Sequence, residues 1–258
     1  MTHRRPLILL TNDDGIQAPP LLALHRALRE VGELVVIAPE HNWSASGHSK
    51  TMHKPLRVSP ARLEDGTEAL VASGSPSDCV ALALLGVLDR RPDLVISGIN
   101  IGENVSTDLT YSGTVSAAME AYIAGISAMA ISLDSHEPYP PETAARYAAR
   151  LARILLEHLE EAPWLLNVNV PALPEEEIKG IRVTRLGRRI YRDALVKRND
   201  PRGRTYYWIG GEAPTGIPEE GTDIGALAEG WVSVTPLRLD LTDHERLDIL
   251  RAWFAAQP

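Results

Sequence analysis

PLILLTNDDG, residues 6–15, is the first indication of the fold class of this chain. Its apolar run at 6–11 predicts a strand, and the polar TNDDG that follows predicts a loop into a helix over about 19–31. A short strand that leads through a polar loop into a helix is the first unit of an alternating α/β pattern. The rest of the first half is expected to repeat this unit.

Short apolar runs and helix-like patterns continue to alternate along the chain. Strands are predicted at 33–38, 93–97, 127–133 and 165–170, with shorter extended stretches near 56–58 and 69–72. Helices are predicted at 77–88, 114–124 and 142–159. This strict alternation predicts a mostly parallel, doubly wound (Rossmann-like) sheet with helices on both faces. Ligands of such sheets bind beyond the carboxyl ends of the strands.

The pattern changes beyond residue 171 to extended segments and Pro/Gly-rich loops. We therefore predict an α/β catalytic core over residues 1–175 and a carboxyl-terminal extension over residues 176–258. The extension is expected to form an extended and helical arm, with a strand at 231–234 and a closing helix at 243–256. Residues 182–204 carry nine Arg or Lys against two Asp, a local balance of +7. A solvated basic hairpin is the simplest explanation, but the arm's apolar residues require a partner surface.

Composition limits the classes of partner. The 258 residues include 44% hydrophobic and 23% charged residues, which is ordinary for a globular protein. The formal net charge of −8 disfavours a broad grip on a DNA or RNA duplex, because that binding needs cationic side chains. Cys79 is the only cysteine, and no apolar stretch is long enough for a membrane-spanning helix, so a cytoplasmic protein without membrane contact is expected.

Asp13 and Asp14 are the first candidates for chemistry, because they lie in the loop after the first predicted strand. Adjacent carboxylates repel each other unless a proton or a cation lies between them, and Mg²⁺ or Mn²⁺ takes oxygen ligands of this kind. The alternative is a simple turn in which Asn-Asp-Asp-Gly supplies hydrogen bonds and a positive-φ glycine. Local sequence leaves both explanations open.

Two further loops offer weaker candidates. PEHNWSASGHSKT, residues 39–51, is too long for a simple connection, and Ser44 in it can present a hydroxyl to a metal or phosphate. Isolated histidines such as His48 and His53 are more often structural than catalytic. GSPSDCV, residues 74–80, predicts a turn into a helix with Ser77 or Asp78 near its amino end, where free N–H groups could bind an anion but ordinary capping is the simpler explanation. Cys79 is expected to pack inside that helix as a small hydrophobe.

The segment PDLVISGINIGENVSTDLTYSGTVSAAMEA, residues 92–121, is the densest in polar candidates. Asn100 and Asn104 follow a predicted buried strand, and Ser112, Gly113 and Thr114 begin the next helix. Asn100 is a neutral oxygen ligand, whereas the Ser-Gly-Thr start exposes N–H groups and hydroxyls to an anion. Together with the Asp pair, these residues predict a phosphate site opposite a metal.

These motifs, taken together, resemble the survival protein E (SurE) family of metal-dependent nucleotidases. The resemblance rests on TNDDGI, SASGHS, GSPSDCV, PDLVISGINIGEN and YSGTVSAAMEA, in family order, and on PLRLDLTD at 236–243. It implies hydrolysis of nucleoside 5′- and 3′-monophosphates, with short polyphosphate as a further substrate. It also implies arms exchanged between the subunits of a homodimer or homotetramer.

The resemblance also implies roles for individual residues. Asp13, Asp14, Ser44 and Asn100 would coordinate one divalent cation per subunit, Mg²⁺ or Mn²⁺, and Asn104 would act with them in catalysis. Substrate binding would fall to Asn104, Ser112, Gly113 and Thr114 on the phosphate side.

Three other functions differ in how well they fit the sequence. An aspartyl-phosphate phosphatase is disfavoured because its aspartates alternate with another residue, and no Gly-x-Gly-x-x-Gly follows a strand as in a nicotinamide dehydrogenase. A sensor that binds a nucleotide or metal without turnover remains open, because the same ligand groups would serve it.

Overall fold

The computed structural model describes residues 4–135 and 139–255, whose strands form a nine-stranded sheet and a separate two-stranded hairpin. The strands are β1 (Leu7–Thr11), β2 (Glu33–Pro39), β3 (Val58–Arg62), β4 (Glu68–Ala72), β5 (Leu94–Ile101), β6 (Ala128–Asp134), β7 (Leu165–Pro171), β8 (Ile181–Val183), β9 (Arg188–Asn199), β10 (Thr205–Ile217) and β11 (Val232–Pro236). The α-helices are α1 (Pro19–Leu28), α2 (Pro76–Leu82), α3 (Gly113–Ile123), α4 (Glu142–Glu157), α5 (Asp223–Ala228) and α6 (Leu247–Ala255).

The large sheet has the strand order β3-β4-β2-β1-β5-β6-β7-β11-β8. The six strands from β4 to β7 in this order pair in parallel, whereas β3 and β11 pair antiparallel to their neighbours β4 and β7. The predicted mostly parallel, doubly wound α/β fold is therefore confirmed. The chain moves outward from β1 to β2 on one side and resumes at β5 on the other. The carboxyl ends of β1 and β5 thus flank a topological switch point, where such sheets bind ligands.

Two hydrophobic cores cover the two faces of the sheet. Ile8 and Leu10 of β1 pack in the core that includes α1 and α4, whereas Leu9 packs in the core of α2 and α3. All three side chains are fully buried. Because successive residues of a strand point to opposite faces, a strand between two helical layers is apolar throughout. This explains the continuous apolar run that ends at TNDDG.

Several predicted boundaries differ from the structure. The helix predicted at 77–88 is α2 followed by a π-helical turn, Ala83–Val87, where Gly86 has a φ of 125°. The strand predicted at 93–97 runs from Leu94 to Ile101, and its residues are buried without a break through Ile99. The closing helix begins at Leu247 rather than 243, and residue 256 lies outside the described residues.

The carboxyl-terminal part is less separate than predicted. β11 pairs with β7 and β8 pairs with β11, so the main sheet crosses the predicted boundary at residue 175. The β9–β10 hairpin and α6 are the elements of the predicted 176–258 extension that lie outside this sheet and expose most of their residues. Within the described residues, no helix combines the length and apolarity needed to cross a membrane.

Candidate active site

A pocket of about 450 Å³ lies at the switch point, beyond the carboxyl ends of β1 and β5. Its lining includes Asp13, Ser44, Asn100, Asn104 and Ser112. The fold thus brings five of the predicted site residues together from the loops after β1 and β2, from the end of β5 and from the segment between β5 and α3. Tyr111 and Tyr191, which the sequence analysis did not select, also line the pocket.

Asp13 is fixed by the start of α3. Only 4% of Asp13 is exposed, and the Thr114 hydroxyl donates to its Oδ1 at 2.7 Å while the Thr114 N–H donates to its Oδ2 at 3.2 Å. Thr114 itself is fully buried. Its donors are therefore directed at the carboxylate, whereas the sequence analysis assigned them to the phosphate. Thr114 holds a proposed metal ligand in place instead.

Gly113 allows this close approach of α3 to Asp13. A Cβ at position 113 would lie 2.8 Å from Asp13 Cβ and 3.2 Å from Ser46 Oγ. Glycine is required here for space, because no positive φ is involved. Ser112 precedes it as the N-cap of α3, and its side chain accepts a hydrogen bond from the Val115 N–H at 3.1 Å. In the predicted Ser-Gly-Thr start, Ser112 therefore caps the helix, Gly113 leaves room for Asp13, and Thr114 forms hydrogen bonds with Asp13.

Asn42 connects Asp14 to Ser44, a link that the sequence analysis missed. Its Nδ2 donates to Asp14 Oδ1 at 3.0 Å, and its Oδ1 accepts from the Ser44 N–H at 2.8 Å and the Ser44 hydroxyl at 2.6 Å. An asparagine that accepts from the N–H two residues later is a known turn pattern, so its place before Ser44 was the available signal.

The carboxyl groups of Asp13 and Asp14 are not compensated by positive charge. Burial raises the pKa of Asp14 to about 6, with the charge of Asp13 as the second cause, and burial also raises the pKa of Asp13. No cationic side chain among the described residues lowers either pKa. Asn100 donates its Nδ2 to the Gly102 carbonyl at 2.7 Å, which leaves its Oδ1 for another partner. These oxygen donors fit a hard divalent cation.

The raised pKa of Asp14 predicts how an Asp14→Asn variant changes stability in chelator. A carboxyl whose pKa rises from 3.8 to about 6 on folding destabilises the fold increasingly as pH rises through that window. Asparagine carries no charge, so the variant is expected to gain unfolding free energy over the wild type at pH 8 but little at pH 4. Urea unfolding at both pH values measures this. An equal difference at both would contradict the assigned cause.

The remaining sequence candidates, His48, His53 and the GSPSDCV segment, do not line the pocket. His48 and Lys50 contact Glu120 of α3 at 3.1 and 2.6 Å, which anchors the loop that carries Ser44. Ser75 and Asp78 form a capping box at α2, confirming the predicted capped start. Cys79 is buried, and burial raises the pKa of its thiol to about 12, so it packs as a hydrophobe as predicted. His53 is exposed.

One basic residue of the 182–204 run, Arg189, is linked to the pocket through two of the carboxylates that line it. Arg189 is 11% exposed and contacts Glu103 and Asp108 at 2.7 Å each. Glu103 and Asp108 line the pocket, so this cluster joins the base of the hairpin to the site. Because its guanidinium is already paired, Arg189 provides little free positive charge for a phosphate.

Comparison with known proteins identifies relatives of this chain. Residues 8–193 match the family model described as Survival protein SurE. The 5′-nucleotidase SurE of Chloroflexus aggregans is 52% identical over 248 residues, which cover 95% of this chain and 98% of that relative. The 5′-nucleotidase SurE of Herpetosiphon aurantiacus is 54% identical over 238 residues, 92% of this chain and 93% of that relative.

A solved structure agrees with these matches. The crystal structure of the SurE protein from Aquifex aeolicus superposes with a TM-score of 0.79 at 41% sequence identity, covering 96% of this chain and all of that chain. The matched family model spans well over half of the chain and includes every predicted site residue. This chain therefore belongs to the SurE family.

Proposed function

We propose that this protein is a 5′-nucleotidase that hydrolyses nucleoside 5′-monophosphates to nucleoside and phosphate, using one Mg²⁺ or Mn²⁺ per subunit. The observation that carries the proposal is that Asp13, Ser44 and Asn100 line one pocket, while Asn42 connects Asp14 to Ser44. The names of the Chloroflexus and Herpetosiphon relatives support the substrate class. We extend the proposal to 3′-monophosphates and short polyphosphate, and to a cytoplasmic location, which the single cysteine favours.

Different residues of the chain would bind the metal, accept the proton and contact the phosphoryl group. When bound, the cation would polarise a phosphoryl oxygen and lower the pKa of a water. Asp13, held by Thr114, and Asp14, held by Asn42, would bind that cation, and one of the two would orient the water or accept a proton from it. Asn104, which lines the same pocket, would donate to the phosphoryl group as negative charge develops.

Phosphate release from a panel of substrates tests the proposal. The panel contains 5′- and 3′-monophosphates and tripolyphosphate, assayed after EDTA treatment and again with Mg²⁺ or Mn²⁺ restored. We expect release from 5′-monophosphates only with the metal. Nucleotide binding without release would instead support the sensor, and release in EDTA would refute the metal assignment.

The arm supports a second proposal, an assembly of identical subunits. No residue of α6 is buried, and Trp253 and Phe254 are each 66% exposed. On the hairpin, Trp208 is 64% exposed and Ile209 is 84% exposed. A nine-residue helix is marginal in water without packing, so these side chains need a partner surface. We propose a homodimer or homotetramer in which the arms are exchanged between subunits, a low-cost route to symmetric assembly.

Replacing Trp253 and Phe254 with serine is expected to yield smaller particles. The two substitutions remove apolar area from α6 and spare Leu237 and Leu239, which pack against the core and would be lost in a deletion from residue 237. Light scattering of the variant and of Leu85→Ser, an 84% exposed leucine outside the arm, provides the measurement and its control. A monomeric wild type, or a variant of unchanged mass, would refute the exchanged arm.

A further inference from the structure

Two buried asparagines lie on β7 beneath the pocket. Asn167 and Asn169 are fully buried within the otherwise apolar sequence LLNVNVP. Their alternate positions on the strand place both side chains on one face of the sheet. A buried amide costs free energy unless it is hydrogen-bonded. Both amides form hydrogen bonds with one residue of the pocket, Asn104.

Three hydrogen bonds fix the backbone of Asn104. Asn169 Oδ1 accepts from the Asn104 N–H at 2.8 Å, and Asn169 Nδ2 donates to the Asn104 carbonyl at 3.0 Å. Asn167 Nδ2 donates to the same carbonyl at 2.7 Å. Because an N–H requires an acceptor and a carbonyl requires donors, the orientation of the Asn169 amide is unambiguous. A carboxylate or an apolar side chain could not make this reciprocal pair.

A fourth hydrogen bond fixes the side chain of Asn104. Its Nδ2 donates to the Ser132 hydroxyl at 2.8 Å, and Ser132 lies beside Asn169 in the register of β6 and β7. One N–H of that amide is therefore occupied. The other N–H and the Oδ1 remain available to a ligand in the pocket that Asn104 lines. The residue as a whole is 8% exposed.

We propose that Asn169, assisted by Asn167, is a positioning residue that aims the Asn104 amide at the phosphoryl group. This inference rests on the proposed nucleotidase function, in which Asn104 contacts that group. The hydrogen-bond pattern explains why an apolar strand carries two amides directly under the site, since a pre-aligned donor needs no reorganisation during the reaction. Asn167 and Asn169 act only through Asn104.

An Asn169→Leu variant tests the inference. Leucine keeps the approximate size of the side chain but removes both the acceptor for the Asn104 N–H and the donor to the Asn104 carbonyl. We expect kcat for a 5′-monophosphate to fall by about 10²-fold, the loss typical of a misplaced catalytic group, with an unchanged Kd for Mn²⁺. The matched control is Thr235→Val, because Thr235 is a buried neighbour of Asn167 on β11 that bonds to Thr184 instead. The control should retain wild-type kcat.

A double variant separates positioning from general structural damage. If Asn169 acts through Asn104, adding Asn169→Leu to Asn104→Ala should cause little further loss of kcat, because interacting sites are not additive. Multiplied losses, a Kd for Mn²⁺ weakened in proportion to kcat, or wild-type kcat in Asn169→Leu would overturn the inference. If thermal unfolding shows that Asn169→Leu does not fold, Asn167→Leu decides the question with the same readouts. Absence of phosphate release by the wild type would instead refute the proposed function.

Discussion

Replacing Asp13 with asparagine is expected to lower kcat for 5′-monophosphates by roughly 10³-fold or more, since loss of one electrostatic donor alone costs about 10²–10³. The substitution keeps the shape of the side chain but removes the charge that would hold the cation. Because the lost charge belongs to a proposed metal ligand, the Kd for Mn²⁺ should weaken together with kcat.

The control for this variant is Asp89→Asn, which removes an exposed carboxylate outside the pocket. Titration calorimetry with Mn²⁺ and phosphate release at saturating metal give the two readouts. We expect Asp13→Asn to remain folded in chelator, because it relieves repulsion between two neighbouring carboxylates. If Asp13→Asn at saturating Mn²⁺ turned over as fast as the wild type under the same conditions, the metal site would be assigned to the wrong residues.

The sequence predicted the place of the site better than its internal contacts. Asp13 and Asn100 come from strands that are separated in the chain, yet parallel strands in a doubly wound sheet bring their carboxyl ends to one edge. That rule needs only the alternation of strands and helices. It does not say which way each side chain of a helix start points. Ser112 and Thr114 are two residues apart in one motif, but Ser112 lines the pocket and Thr114 faces Asp13.

Contacts across long sequence separations were beyond the reach of pattern analysis. Arg189 pairs with Glu103, and Asn169 pairs with Asn104, through the packing of the hairpin base and of β7 against the loop after β5. Charged residues are common in an exposed hairpin, so nothing local distinguished Arg189. Asn169 was different, because an amide in an apolar strand requires a partner, and that signal was overlooked.

Gly113→Ala is expected to reduce kcat/KM strongly, because the added methyl group collides with Asp13. The backbone of residue 113 accepts alanine, and alanine favours a helix over glycine by about 1 kcal/mol in helix interiors. Its Cβ, however, would lie 2.8 Å from Asp13 Cβ and 3.0 Å from Asp13 Oδ2, closer than such atoms approach. Asp13 must therefore move, although Thr114 holds it at both oxygens. We expect kcat/KM to fall by about 10²-fold, the loss that a displacement near 1 Å can produce.

The matched control is Gly210→Ala on β10, where no atom lies within 4 Å of the added Cβ and φ is not positive. Gly113→Ala should weaken Mn²⁺ binding and keep a thermal midpoint close to that of the wild type, since its cost falls on one displaced carboxylate. Gly210→Ala, on the hairpin and outside the pocket, should leave Mn²⁺ binding unchanged. A Gly113→Ala enzyme with wild-type kcat/KM would mean that α3 retreats without disturbing Asp13. The position of α3 would then not determine the geometry of the metal ligand, and the role given to Thr114 would fail with it.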